Sequence, residues 1–96
     1  VYACGSNQYG RLGLGHGDDQ NEFQLVDFFR DKNVRKIFCD ANYTYAITCD
    51  NQVYSCGDNR YGQLGLGNYH NQDRFQLVEF FQDNELLKII YGIWYI

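Results

Sequence analysis

The chain repeats itself at an offset of 52 residues. The segment 1–15 reappears as 53–67, with eleven of fifteen residues identical and none inserted or deleted. Comparing residues 1–44 with 53–96 gives 22 identities in 44 positions, which is far above chance. The chain therefore holds 96/52, or about 1.8, copies of one unit. A repeat of this length indicates a small supersecondary structure that buries its apolar faces against neighbouring units.

Four short segments of one unit have strand character. They are rich in β-branched and aromatic residues, and Tyr43 to Cys49 alternates with the period of two that a strand requires. Asp50 and Asn51 form a two-residue turn signal, which predicts a β-hairpin between the second and third segments. The predicted strands are 34–39, 43–49, 52–56 and a strand-like or mixed stretch at 23–29 that includes a short helical turn near Leu25–Arg30.

Four short strands in about 52 residues, repeated in tandem, are typical of the blades of a β-propeller. We predict an all-β fold of β-propeller blades, each a four-stranded antiparallel sheet, that forms an incomplete propeller of about two blades. A helical solenoid is excluded because no window keeps an apolar period of 3.6 residues. The predicted division places the first repeat unit at 1–52 and an incomplete second unit at 53–96.

Glycines recur at the same places in both units. Because glycine permits positive φ and close backbone approach, we expect structural turns there, with the interspersed leucines packing inward. A phosphate-binding loop is the alternative, but Asp18 and His70 stand where a further glycine is required, and no Gly-Lys-Ser/Thr follows. The repeated residues are Gly5, Gly10, Gly13 and Gly15, then Gly57, Gly62, Gly65 and Gly67, with Leu12, Leu14, Leu64 and Leu66 between them.

The string VYSCGDNRYGQLGLG at 53–67 resembles the signature of the regulator of chromosome condensation repeat. The sequence KIFC at 36–39, followed by a hairpin with Asp50 and Asn51 at its turn, is similar to the same family. The resemblance covers essentially the whole chain. It implies a seven-bladed β-propeller, which at this period needs about 360 residues.

The resemblance makes the chain about a quarter of such a propeller, and a start at Val1 predicts that earlier residues are missing. Blades bury their faces against each other, so we expect adhesive surfaces on a piece of this size. The candidate residues are Phe28, Ile37, Phe38, Tyr45 and Phe80. Stacked repeats need at least three units for stability, so the isolated chain is expected to be poorly stable or to aggregate.

The charge and cysteine content limit the functions of this chain. Its net charge of −4 argues against a nucleic-acid partner, and no apolar run approaches the roughly 18 residues of a membrane span. No secretory leader is visible. The four cysteines lack the C-x-x-C spacing of a zinc site. Four cysteines are enough for two disulfides, but we predict that the thiols are free and buried. Free thiols in turn predict a cytoplasmic or nuclear protein.

No catalytic constellation is visible, so we predict that the chain is not an enzyme and has no cofactor, metal or catalytic residues. His16 and His70 follow Gly-Leu-Gly in predicted loops, without a nucleophile arrangement beside them. Asp18 and Asp19 form a polar pair that the second unit does not repeat, which argues against a repeated metal site. The remaining carboxylates flank apolar stretches, at Asp27, Asp31, Glu79 and Asp83.

Function is therefore predicted from the exposed loops. Residues 16–22 differ from 68–74 while their flanks are alike, as in a scaffold whose surface loops choose a protein partner, although neutral drift gives the same pattern. The first hypothesis is a protein-binding scaffold or adaptor module, whose binding residues the sequence does not identify. The family resemblance implies a partner in the ubiquitin pathway or a small GTPase.

The second hypothesis is a guanine-nucleotide exchange factor for a Ran-type GTPase. The family's archetype uses a protein surface that displaces Mg²⁺ and loosens the phosphate site. That surface includes an insertion from one blade, and this chain shows none. The third hypothesis is a truncated fragment without independent function.

Overall fold

The computed structural model describes residues 1–79, which form six antiparallel strands. The strand predictions are confirmed, with ends that differ by at most four residues. The strands are β1 (Tyr2–Gly5), β2 (Gln20–Leu25), β3 (Val34–Cys39), β4 (Tyr43–Thr48), β5 (Val53–Gly57) and β6 (Gln72–Leu77). Two short 3₁₀ turns lie at Gln8–Gly10 and Asp27–Phe29, and the second of these is the predicted helical turn.

The strands form two sheets. β1 pairs with β2, and β3, β4, β5 and β6 make a four-stranded meander in chain order. The prediction of an all-β fold with four-stranded antiparallel sheets is confirmed by this second sheet, and β1 and β2 form a separate two-stranded antiparallel sheet. The complete sheet takes two strands from residues 1–52 and two from 53–79. The division between units at 52/53 remains a prediction.

The hairpin between β4 and β5 turns at Asp50 and Asn51, as predicted. Asn51 has a φ of 65°, a left-handed conformation that asparagine tolerates better than most residues. The amide of Thr48 donates a 2.9 Å hydrogen bond to the carbonyl of Gln52 across the turn. This turn fixes the register in which Ile47 faces Val53.

β4 is packed on both faces, although its alternation predicted one apolar and one polar face. Ala46 belongs to a buried cluster on one side of the sheet, and Ile47 belongs to a second cluster on the other side with Val53 and Val78. Thr48 is 2% exposed and hydrogen-bonds within the turn. A strand in the middle of a blade therefore buries small polar residues as well as apolar ones, because its hydroxyls find local partners.

An aromatic cluster joins the two units. Phe29 and Phe75 meet edge to face with ring centroids 4.7 Å apart, and Phe28 contacts Tyr54 at 5.0 Å. The 3₁₀ turn at Asp27–Phe29 points both phenylalanines toward β5 and β6. Aromatic pairs of this kind contribute about 0.5–1.5 kcal/mol beyond the area that they bury.

Four of the five residues predicted as adhesive surfaces are partly covered within residues 1–79. Phe28, Ile37, Phe38 and Tyr45 are half-buried because each packs against one of the two core clusters. Phe80 lies outside the described residues. The exposed large apolar side chains lie on or beside β1, on β2 and β6, and between β5 and β6. They are Val1, Tyr2, Phe23, Leu25, Tyr61, Tyr69 and Leu77.

The cysteine prediction is correct for one side chain and wrong for three. All four thiols are free, but only Cys56 is buried, whereas Cys4, Cys39 and Cys49 are exposed. Cys56 lies in the middle of the cluster between the units, and burial raises the pKa of its thiol. Cys4 occupies the same position in the first unit, where nothing in the described part of the chain covers it.

The glycine motif is structural, as predicted. All eight repeated glycines have positive φ, and Leu64 is fully buried, while Leu12, Leu14 and Leu66 are half-buried. Within residues 1–79 no helix has the length and apolar character needed to cross a membrane.

Candidate interaction surface

Two long loops lie side by side at one end of the strands. The first connects β1 to β2 over residues 6–19, and the second connects β5 to β6 over residues 58–71. The turn at 40–42 reaches the same end, because the amide of Asp58 donates a 2.9 Å hydrogen bond to the carbonyl of Asn42. We call these three segments, 6–19, 40–42 and 58–71, the loop face.

A buried asparagine holds the first loop. Asn7 is 0% exposed, and its amide group donates to the carbonyls of His16 and Asp18 at 2.8 and 3.0 Å. Its side-chain oxygen accepts the amide of Leu12 at 2.9 Å. The backbone amide of Asn7 donates to the carboxylate of Asp19 at 2.7 Å. One side chain therefore ties the start of the loop to its tip.

Asn59 makes the same set of bonds 52 residues later. Its amide group donates to the carbonyls of Asn68 and His70 at 3.0 Å, and its oxygen accepts the amide of Leu64 at 3.1 Å. Its own backbone amide donates to the side chain of Asn71 at 2.8 Å. The backbone path of the two loops is thus fixed by the same interactions, while the exposed side chains differ.

The predicted loop residues lie where expected but form no reactive group. His16 is exposed, and its Nδ1 accepts the amide of Asp18 at 3.2 Å. His70 is exposed, and its backbone amide donates to Asn68. Asp19 binds the backbone of Asn7 instead of a ligand. Among residues 1–79 no three His, Cys, Asp or Glu side chains are grouped as metal ligands.

The carboxylates beside the apolar stretches form local ion pairs. Asp27 contacts Arg30 at 2.6 Å, and Asp31 contacts Lys32 at 3.2 Å. The hydrogen bond from Lys32 lowers the pKa of Asp31 below its usual value. Glu79 is exposed, and Asp83 lies outside the described residues.

A buried carboxylate fixes an arginine between the loops. Asp58 is 2% exposed and accepts two hydrogen bonds from the guanidinium of Arg60, at 2.9 and 3.0 Å. These hydrogen bonds lower the pKa of Asp58 and raise that of Arg60. The fixed guanidinium lies 4.3 Å from the ring centre of Tyr9, a cation–π distance. Tyr9 itself has a φ of 63°.

Sequence reasoning missed both of these arrangements. The signal for the asparagines was present, since Asn7 and Asn59 occupy the same position in the two copies of the glycine motif. The pairing of Arg60 with Asp58 had no repeated sequence pattern to indicate it, because the first unit has Gln8 and Ser6 at the corresponding positions. The contact of Arg60 with Tyr9 joins residues of two different units, so it follows only from their packing.

The loop face also carries two exposed tyrosines. Tyr61 is 80% exposed and Tyr69 is 73% exposed, and Tyr69 corresponds to Gly17 in the first loop. The ring of Tyr69 lies beside Gly62, where an added Cβ would be 3.4 Å from it. Tyrosine combines a large apolar ring with a polar hydroxyl, a combination enriched in protein interfaces. The arrangement is suited to contact with a protein, and it lacks a nucleophile–base pair.

The repeat, the four-stranded antiparallel sheet and the asparagine-held glycine loops together define a propeller-blade repeat. The Regulator of chromosome condensation (RCC1) repeat matches residues 1–47 and 50–95, and a second form of it matches 34–63. The chain belongs to this repeat family.

Three relatives illustrate where this repeat occurs. The chain is 34% identical over 88 residues to the X-linked retinitis pigmentosa GTPase regulator of Canis lupus familiaris, covering 92% of this chain and 9% of the relative. It is 38% identical over 66 residues to the Secretion-regulating guanine nucleotide exchange factor of Mus musculus, covering 69% and 14%. It is 34% identical over 94 residues to the E3 ubiquitin-protein ligase HERC2 of Mus musculus, covering 96% and 2%. The chain thus spans a small part of each.

Proposed function

We propose that the chain is a protein-binding scaffold or adaptor module and that the loop face is its contact surface. The observation that carries this proposal is the difference between the loop tips. Asn7 and Asn59 hold the two loops by the same bonds, yet Tyr69 stands where the first loop has Gly17. A fixed backbone with variable exposed side chains is suited to selecting partners.

The proposed partner is a protein of the ubiquitin pathway or a small GTPase. The names of the relatives support both, since one is a ubiquitin-protein ligase and another a guanine nucleotide exchange factor. The proposal assigns the chain itself no catalytic step. The proposed location is the cytoplasm or the nucleus, which the four unpaired thiols support because reducing compartments keep thiols free.

A photocrosslinking comparison tests the proposed surface. A photoreactive phenylalanine analogue is placed at position 69 and, as a matched control, at position 31, an exposed residue in the turn before β3. After irradiation in cells, position 69 is expected to crosslink a small set of proteins that position 31 does not. Equal protein profiles from the two positions would contradict the proposal.

The alternative function is nucleotide exchange on a Ran-type GTPase. Similarity to a secretion-regulating exchange factor favours it, while the described loops carry no large insertion. The test measures the rate at which a Ran-type GTPase releases a fluorescent GDP analogue, with and without a micromolar concentration of this chain. For an adaptor we expect no change in rate. An acceleration of about tenfold, or about 1.4 kcal/mol in the barrier, would instead establish the exchange function.

A further inference from the structure

A groove lies where the first long loop, the 3₁₀ turn after β2 and strand β6 meet. Its volume is about 350 Å³, near the lower end of the range of about 300–1,000 Å³ for ligand pockets. Because both units contribute to it, we call it the junction groove. Its lining includes Leu14, Gly15, Asp27, Phe28, Arg30 and Arg74.

Part of the junction groove is apolar and firmly packed. Leu14 and Phe28 are half-buried, and both pack against the core cluster that joins the units. The rings of Phe29 and Phe75 hold that of Phe28, with centroids 5.1 and 6.0 Å from its own. A side chain that enters the groove therefore meets apolar surface that is already in place, and an apolar side chain gains by covering it.

Arg74 lies across a glycine at one side of the groove. A Cβ built on Gly15 would be 3.2 Å from the Nε of Arg74 and 3.3 Å from its Cζ and Nη2. The amide of Gly15 also donates a 2.8 Å hydrogen bond to the carbonyl of Asp73, the residue before Arg74. The loop therefore holds the backbone of β6 at this point, and the absence of a side chain at position 15 lets the guanidinium lie against the loop.

The guanidinium of Arg74 forms no ion pair and no hydrogen bond with any of residues 1–79. The other arginine of the groove, Arg30, is paired with Asp27 at 2.6 Å. The groove thus presents one uncompensated positive charge, in a chain whose net charge is −4. A guanidinium is a planar fork of N–H donors, and its complement is a carboxylate, which accepts two parallel hydrogen bonds from it.

The positive charge of the groove is not a repeated feature of the chain. The first unit has Glu22 where the second has Arg74, so the charge at this position is reversed between the units. Gly15 and Gly67, in contrast, are the same residue at corresponding positions. The backbone around the groove is therefore common to both units, whereas its arginine belongs to this junction alone.

We propose that the junction groove binds an acidic peptide segment of a protein partner. A carboxylate side chain of the segment pairs with Arg74, and a neighbouring apolar side chain covers Leu14 and Phe28. The inference rests on the proposed function, because it names the chemistry of the protein partner. The groove shares Leu14 and Gly15 with the loop face, but Tyr69 is not part of its lining, so the two contacts can be tested separately.

Selection from a phage-displayed library of random peptides tests the proposal. On the immobilised 96-residue chain, the enriched peptides are expected to carry Asp or Glu next to an apolar residue. Arg74→Glu, which introduces the residue type of Glu22 at an exposed position, is expected to keep the fold and lose this enrichment. Arg35→Glu, on β3 and also exposed, makes the same change in net charge and is expected to retain it. Enrichment of the same acidic peptides by Arg74→Glu, or of none by the parent chain, would overturn the proposal.

Exchanging the charges tests whether Arg74 itself holds the carboxylate. A selected peptide is labelled with a fluorophore, and a second form carries lysine in place of its acidic residue. By fluorescence anisotropy, the acidic form is expected to bind Arg74→Glu at least about fivefold more weakly than the parent chain, and Arg74→Gln about threefold more weakly. The lysine form is expected to prefer Arg74→Glu to the parent chain. A lysine form that prefers the parent chain would exclude direct pairing with Arg74.

Backbone amide NMR shifts of the isotope-labelled chain locate the bound peptide. The acidic peptide is expected to shift the signals of residues 13–15, 28–30 and 74 and to leave those of 68–70 unchanged. Shifts confined to 68–70 would overturn the groove as the binding site while supporting the loop face as a contact surface. Shifts at the groove, together with a failure of crosslinking at position 69, would support the groove and contradict the role proposed for the loop tips.

Discussion

Asn7 and Asn59 show how one buried side chain can set the path of a whole loop. Each is fully buried, and each satisfies two carbonyls and one amide that would otherwise be buried without partners. Leaving such groups unsatisfied costs about 1–3 kcal/mol each. The tips of the loops can therefore vary, because their position depends on the asparagine and not on the exposed residues.

Asn59→Ala is expected to destabilise the chain by about 2–4 kcal/mol, because it removes the acceptor of Leu64 and the donor to Asn68 and His70. Urea unfolding at low concentration measures this loss. Asn33→Ala, at an exposed position, is the control and is expected to change stability by less than about 0.5 kcal/mol. Equal effects of the two substitutions would show that the loop does not depend on Asn59.

Asp58 is expected to make stability depend on acid pH. The hydrogen bonds from Arg60 lower the pKa of Asp58 in the folded state below the value of about 3.9 in an unfolded chain. The stabilisation is therefore complete above pH 4 and is lost as the pH falls through the folded pKa, because the unfolded state takes up the proton first.

Urea midpoints between pH 2 and 7 measure this effect. Asp58→Asn is expected to flatten the acid limb of the curve. Arg60→Gln, which restores the residue type found at Gln8, is the matched variant, since it keeps the carboxyl but removes its donor. Acid limbs that run parallel in all three chains would refute the assignment to this pair.

The contact of β6 with Gly10, Gly13 and Gly15 shows why glycines recur between two strands. At Gly13 the motif must adopt a φ of 71° and also admit the ring of Phe75 at a distance no Cβ permits. Gly65 has the same conformation, a φ of 68°, but no ring against it in the described structure. At Gly65 glycine is required by the backbone conformation alone, whereas at Gly13 it is required both by the conformation and by the close approach of Phe75.

Gly13→Ala is expected to destabilise the monomer by about 1–3 kcal/mol more than Gly65→Ala. Both substitutions place a side chain at positive φ, which costs about 1 kcal/mol, but only the first drives a methyl group into Phe75. Denaturant unfolding at 2 μM measures both. A larger loss for Gly65→Ala would mean that conformational strain, and not the approach of β6, requires glycine in the motif.

Across residues 1–79, burial falls from the central strands toward both sides. β4 and β5 have neighbours on each edge, while β1 and β2 form a pair without further strands in the described structure. Nine apolar side chains make up the buried core of residues 1–79. A pair of strands on its own is marginal in water, so the stability of the chain depends on contacts between units.

The isolated chain is expected to unfold with a midpoint below about 45 °C, under the usual range for independent domains. Differential scanning calorimetry at several concentrations measures this midpoint. A monomer that unfolds cooperatively above about 60 °C at every concentration would show that fewer than three units suffice.

The 52-residue repeat predicted most of the fold, because hydrophobic patterning and turn residues act locally. The hairpin at Asp50 and Asn51 is an example, since its conformation depends on the residues of the turn itself. The pattern did not predict which faces are exposed. Cys4 and Cys56 have the same local sequence, yet only Cys56 is buried, because burial depends on what the next unit places against it.

The four-stranded sheet crosses the point where one sequence unit ends and the next begins. β3 and β4 come from the first copy and β5 and β6 from the second. Duplicating any stretch of 52 residues therefore inserts a unit between neighbours with which it already packs. The new unit completes the sheet begun by the unit before it, and the sheet that it begins is completed by the unit after it. Growth by whole units requires no new interface, whereas removal of half a unit leaves two sheets unfinished.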